Sequence, residues 1–179
     1  MSVLVQRQLF GGAITADATP NLIDASDVRQ VPDTQEVFMY PDSSISIVVE
    51  ILQRAEPSHY DDAIRFHFDS LAHDNDAQSA EIDAVSQVPN ERGDGTPSAT
   101  ILSGVQSVKK FNRAIPDKVR IFMALYRVDS KRIDVVVTFN VPTKAIDGGA
   151  VNAEGLQKAN ADFDEFVRSF RIVDFGLFA

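Results

Sequence analysis

Apolar residues recur along this chain with two periods, and the switches between them predict its elements. Between Ser44 and Gln53, the residues Ile45, Ile47, Val49 and Ile51 fall on one face of a strand, which marks that face as core. Glu36 to Tyr40 is a second β-rich run, joined to the first across Pro41-Asp42-Ser43 as a hairpin. From Ser58 to about His73 the period changes to three or four. Tyr60, Ile64, His67, Phe68 and Leu71 share one stripe, and Ser58 and Asp61 stand in capping-box positions. Asp74-Asn75-Asp76 closes this helix, and Glu81 to Val88 resumes a strand. Ala99 to Phe111, Val119 to Val128 and Arg132 to Val141 follow with short turns between them, which predicts an antiparallel meander. Val135-Val136-Val137 is apolar on both faces, as a central strand covered by helices on both sides requires. In a last helix, capped by Asn152, Leu156, Ala159, Phe163, Phe166, Val167 and Phe170 form an apolar stripe. Asp162, Asp164, Glu165 and Arg168 are assigned to its solvated face.

Less regular segments join these elements. Leu9-Phe10-Gly11-Gly12-Ala13-Ile14 reads as a strand interrupted by a glycine pair, where a bulge is expected. Leu22 to Asp33 holds one helical turn, capped by Asp24 or Ser26 and ended at Val31 by Pro32. Pro89 to Pro97 reads as an exposed loop, Thr143 to Val151 as another, and the apolar tail Ile172 to Phe178 as a segment docked on the fold. The sum is an α+β protein: a curved, mainly antiparallel β-sheet sandwiched between helices, with residues 1–179 as a single domain.

Charge narrows the partners. The formal net charge is -9, and both nucleic acid and an anionic membrane need a basic footprint to bind. Neither is expected, and a basic protein partner is. The acidity is uneven: residues 1–89 carry 15 Asp and Glu against 4 Lys and Arg, net -11, and residues 90–179 carry 11 against 13, net +2. No stretch approaches the roughly 20 apolar residues of a membrane span, and the first residues lack the pattern of a secretory signal.

Catalytic and metal chemistry finds little support. With no Cys in the sequence, thiol nucleophiles, thiolate metal sites and disulfides are excluded. His59 and His67 are eight residues apart, about 80° around a helix and roughly 12 Å along it, so they do not share an ion. No metal or other cofactor is expected. The chain has no phosphate loop, no GxSxG elbow and no HExxH. Asp24, Asp27, Asp33 and Glu36 cluster around Ser26, Arg29 and Pro32. Such carboxylates could serve as general acid and base, but no apolar pocket that would raise a carboxyl pKa can be read nearby. Each also has a local use, Asp24 as cap, Arg29 as an ion-pair partner within the chain, Asp33 as a turn residue. The binding reading is that a proline-stiffened loop presents carboxylates to a basic partner, since stiffening lowers the ordering cost of association.

Leu9-Phe10-Gly11-Gly12-Ala13, followed by the run from Ile23 to Phe38, resembles the N-terminal signature of the Ran guanine nucleotide release factors. Arg65-Phe66-His67-Phe68-Asp69, Leu102-Ser103-Gly104-Val105-Gln106 and Thr138-Phe139-Asn140 with Pro142 extend the resemblance over most of the chain. It implies a PsbP-like fold and a non-enzymatic factor of the nucleus, with some in the cytoplasm. Such a factor is a monomer that binds the GTPase Ran, favours release of its nucleotide and supports nuclear import, and a second Ran-binding protein can join the complex. The family's acidic contact surface carries over to Asp24, Asp27, Asp33 and Glu36, with Arg29 and Pro32 as supports. The alternative is a ligand-binding or scaffold module of the same fold without GTPase contact.

Overall fold

The computed structural model describes residues 3–109 and 114–179. The strands β1 (Val5–Leu9), β2 (Ile14–Ala18), β3 (Ile23–Asp24), β4 (Gln35–Met39) and β5 (Ser46–Gln53) precede the helix α1 (Tyr60–Asp74). Then come β6 (Ala77–Val88), β7 (Ala99–Val108), β8 (Asp117–Val128), β9 (Ile133–Lys144), the helix α2 (Ala153–Ser169) and β10 (Arg171–Ile172). Seven strands form one sheet in the order β3-β4-β5-β9-β8-β7-β6, antiparallel at every pairing. A second sheet has the order β1-β2-β10. The fold is thus the expected α+β arrangement, with the division into two sheets added.

β9 lies at the middle of the large sheet, between β5 and β8, which explains its apolar character on both faces. Val135 and Val137 pack into the larger core together with Phe163, Phe166 and Phe170. Val136 points the other way, to a core built with Ile64 and Phe68 of α1. The molecule is therefore layered, with α1 on one face of the large sheet and α2 with the small sheet on the other. On β7, Gly104 leaves room for α1: a Cβ there would stand 2.6 Å from the Glu81 carbonyl and 2.8 Å from the Phe68 ring.

Several local expectations change. Phe10 to Gly12 is a 3-10 turn that makes β1 and β2 a hairpin, where the sequence suggests one bulged strand. Phe10, Gly11 and Gly12 have φ of 51°, 67° and 94°, a left-handed run that a pair of glycines makes accessible. The helical turn after Leu22 spans only Ala25–Asp27 and ends well before Pro32. His59, not Ser58, is the N-cap of α1, with no side-chain cap, so the capping box does not form. β6 begins at Ala77, four residues earlier than expected, and β7 ends at Val108, while residues 110 and 111 of the expected strand lie outside the described residues.

Asp162 is buried, at 4% exposure, and not on a solvated face. It accepts a hydrogen bond from the Tyr40 hydroxyl at 2.8 Å and pairs with Lys158 at 2.9 Å. Periodicity could not show this because the partner arrives from β4 and its turn, far away in sequence. The loop 89–97 is also more than exposed punctuation. Its Arg92 donates to the carbonyls of Arg168 and Phe170 at the end of α2, where helical carbonyls lack partners. Asp94 is held well below the usual carboxylate range, first by the Arg92 hydrogen bond, against a smaller effect of burial, and then by Thr96 and Asn90. Asn152 caps α2 through the Gly155 N–H, and the tail docks through β10 on β2, both as expected.

Candidate functional site

The six residues singled out from the sequence lie along one edge of the large sheet, on β3, β4 and the segment between them. Antiparallel pairing sets Asp24 opposite Phe38. Since Glu36 and Phe38 are two apart on one strand, Asp24 and Glu36 turn to the same face, the one covered by α2 and the small sheet. Both are half-buried and both are used within the chain. Asp24 accepts from the N–H and hydroxyl of Ser26 at 2.9 and 2.7 Å, capping the short turn. Glu36 accepts the Phe10 N–H at 2.9 Å and so secures the β1–β2 turn. Burial pushes the Glu36 carboxyl upward, the Phe10 hydrogen bond opposes this, and the neighbouring Asp24 adds to the rise.

Asp27, Arg29, Pro32 and Asp33 are exposed. Among the described residues, no ion pair or side-chain hydrogen bond engages Asp27, Arg29 or Asp33. Their backbone is fixed nonetheless. The Arg29 N–H reaches the Ala25 carbonyl at 2.9 Å, and the Gln35 N–H reaches the Pro32 carbonyl at 2.9 Å. Val28, 67% exposed, and Ile23, 39% exposed, sit among these charges. Exposed apolar side chains interleaved with charges along one segment suit a protein partner better than a small substrate.

The sequence reading missed a second acidic feature on the opposite face of the same edge. Gln35 pairs with Glu50 in the β4–β5 hairpin, and Glu50 opens into a cleft of ≈ 340 Å³ between β5 and α1. Phe66, His67, Ser70 and Asp74 of α1 form its other wall. Burial raises the Glu50 carboxyl, Asp74 raises it further, and His67 acts against them. A carboxylate disfavoured in this way gains when a cation fills the cleft. The strict alternation of β5 offered the signal: Glu50 is the acid on the face opposite Val49 and Ile51.

Beneath this cleft lies a buried charge cluster. Arg127 and Asp134, 4% and 0% exposed, pair at 2.8 Å, and His67 Nε2 lies 2.8 Å from the other Asp134 oxygen. Asp134 also accepts the Ala55 N–H at 3.0 Å, and Arg127 donates to the Pro57 carbonyl at 2.7 Å. Every member is satisfied by another, so the cluster fixes α1 and the chain after β5. It offers no free nucleophile. Among the described residues, no group of three or more His, Asp or Glu side chains is arranged to hold a metal ion.

The chain is similar to known proteins over nearly its whole length. Residues 7–142 match the family model described as Ran-interacting Mog1 protein. A zebrafish (Danio rerio) protein named Ran guanine nucleotide release factor is 34% identical over 97% of this chain and 100% of its own length. The Homo sapiens protein of that name is 32% identical, covering 95% of this chain and 94% of its own. Among solved structures, that of the Saccharomyces cerevisiae Ran-binding protein Mog1p superimposes with a TM-score of 0.74 at 28% identity, covering 100% of both chains.

Proposed function

The chain belongs to the Ran-interacting Mog1 family, and from that membership we propose that it binds Ran, promotes release of its guanine nucleotide and supports nuclear protein import. The observation that carries this reading is similarity across the whole chain to relatives named for Ran nucleotide release and, in the yeasts, for nuclear import. Nuclear residence, with a cytoplasmic share, is the corresponding proposal for its location.

No covalent step is required of such a factor. It need only bind nucleotide-free Ran more tightly than loaded Ran, since a ligand shifts an equilibrium by its differential affinity. The contact surface is assigned to the β3–β4–β5 edge. Asp27 and Asp33 face solvent there without side-chain partners among the described residues, with Arg29 and Pro32 beside them, and Glu50 waits in the adjoining cleft. Asp24 and Glu36 shape this edge from behind, through the short turn and the Phe10 hydrogen bond. Basic groups of Ran meeting these carboxylates are drawn away from bound phosphate, which lowers the hold on nucleotide.

The experiment is release of a fluorescent guanine nucleotide from purified Ran. The intact chain is expected to accelerate release. Asp27→Lys with Asp33→Lys is expected to cut the acceleration about tenfold or more, with a thermal midpoint close to that of the parent, because both side chains are exposed. Unchanged release on adding the parent chain defeats the functional reading; full activity in the double variant defeats only the assigned surface.

A further inference from the structure

At the far end of β5 the charge reverses. Arg54 follows the strand, and the turn between β8 and β9 brings Asp129, Lys131 and Arg132 beside it. The Arg54 N–H donates to the Arg132 carbonyl at 3.0 Å, so the two arginines are tied at their backbones. Together with Gln53 and Asp129 they line an open cleft of ≈ 500 Å³. Arg54 Nε donates to Asp129 at 3.1 Å. Among the described residues, no hydrogen bond or ion pair occupies the guanidinium of Arg132 or the ammonium of Lys131. Two arginines and one carboxylate therefore line this cleft, in a protein whose net charge is -9.

Two further features set this corner apart from chance surface charge. Arg132 has φ 55° and ψ 43°, a left-handed conformation in which glycine or asparagine is more at ease. A long cationic side chain is kept where the backbone would favour none, and such outliers point toward use. The corner is also rigid. Ala55, next to Arg54, donates its N–H to the buried Asp134 and accepts from Arg127 through its carbonyl, at 3.0 and 3.3 Å. The Arg132 N–H is held by the Asp129 carbonyl at 3.1 Å. These bonds fix the backbone from which both arginines project, and the planar guanidinium is the side chain best matched to carboxylates.

We propose that Arg54 and Arg132 form a docking site for an acidic peptide segment of a protein partner. The cleft favours neighbouring peptide carboxylates over a lone phosphate. It is wide, at ≈ 500 Å³, and two arginines line it, so there is room for more than one carboxylate. Long polyanions are disfavoured by the acidity of the rest of the surface, whereas a short segment feels mainly the local charges, since screening acts over about 8 Å at physiological salt. The site stands apart from the Ran reading, since it needs only an acidic ligand.

The test is an NMR titration of the whole chain, at low salt, with an end-blocked peptide of four alternating Asp and Glu residues, and in parallel with inorganic phosphate at equal ionic strength. Saturable amide shifts confined to Gln53, Arg54 and residues 129–132 are expected with the peptide and not with phosphate. Arg132→Gly is expected to weaken peptide binding roughly threefold or more, while its thermal midpoint stays level or rises, because left-handed strain is relieved. Arg54→Gln should weaken binding similarly. The proposal is overturned if phosphate reproduces the shifts, if the peptide shifts are absent or scattered, or if Arg132→Gly binds as the parent does.

Discussion

The Glu36 carboxylate accepts the N–H of Phe10, a residue held at φ 51° at the start of the β1–β2 turn. Glu36→Ala leaves that donor without its partner and is expected to lower stability by about 1–3 kcal/mol. Glu36→Gln keeps an acceptor and is expected to lose less than half as much, which urea unfolding of the two variants will show. Asp134 carries a pH dependence. Burial alone would raise its carboxyl, but hydrogen bonds from His67, Arg127 and the Ala55 N–H outweigh burial and hold it well below the ordinary range. A depressed folded value means that the unfolded chain binds the proton first. Stability from Asp134 is therefore complete above about pH 5 and is lost as pH falls below the ordinary carboxyl value of about 3.9. The raised carboxyls of Glu36 and Glu50 have the opposite sign: the folded chain takes up these protons before the unfolded chain does, so falling pH favours the native state through them. Asp134→Asn is expected to flatten the acid limb of a stability–pH curve and to cost about 3 kcal/mol or more at pH 7, where it strands the Arg127 charge. The sequence displayed the acidic cluster but not its division of labour. Asp24 and Glu36 are drawn inward by pairing across β3, β4 and the distant Phe10 turn, while Asp27 and Asp33 stay outside, and only three-dimensional contacts separate the two kinds.

Elements repeat this lesson through their packing. β5, the β7–β9 meander and both helices were legible because one or both faces are buried with a clear period, and Val135 to Val137 even revealed two covered faces. The β1–β2 hairpin and the two-residue strands β3 and β10 were not, since so few residues carry no period. Gly104 shows what packing demands of one position: α1 crosses β7 so closely that a methyl group would meet the Glu81 carbonyl and the Phe68 ring. Gly104→Ala is expected to cost about 1–3 kcal/mol by forcing helix and strand apart, read as a lower urea midpoint with an unchanged slope. Arg92 acts between elements, where its guanidinium closes the carbonyl end of α2. Arg92→Ala is expected to speed hydrogen exchange at residues 168–172 while leaving the β7–β9 amides slow.

At the scale of the whole molecule, the acidic half of the chain builds the β3–β5 edge and α1, and the two cleft systems there carry opposite charge. Association with Ran is expected to slow several-fold between about 50 and 300 mM salt, with dissociation changing less, as steering by surface carboxylates requires. Stopped-flow mixing at several ionic strengths checks this. Overall architecture could be read from element types, but the order of strands could not. β9 follows β8 through a short turn, yet its other side pairs with β5, made long before it, and no local pattern announces such a pairing. The small sheet has a further consequence for biosynthesis. Its middle strand, β2, is flanked by β1, made just before it, and by β10, made only after α2. A nascent chain leaving the ribosome can zip the first hairpin early, yet must wait for almost everything else to be translated before the third strand closes over Ile14. Message truncations that stop short of Arg171 should therefore yield chains that collapse but never lock, a natural target for cellular quality control.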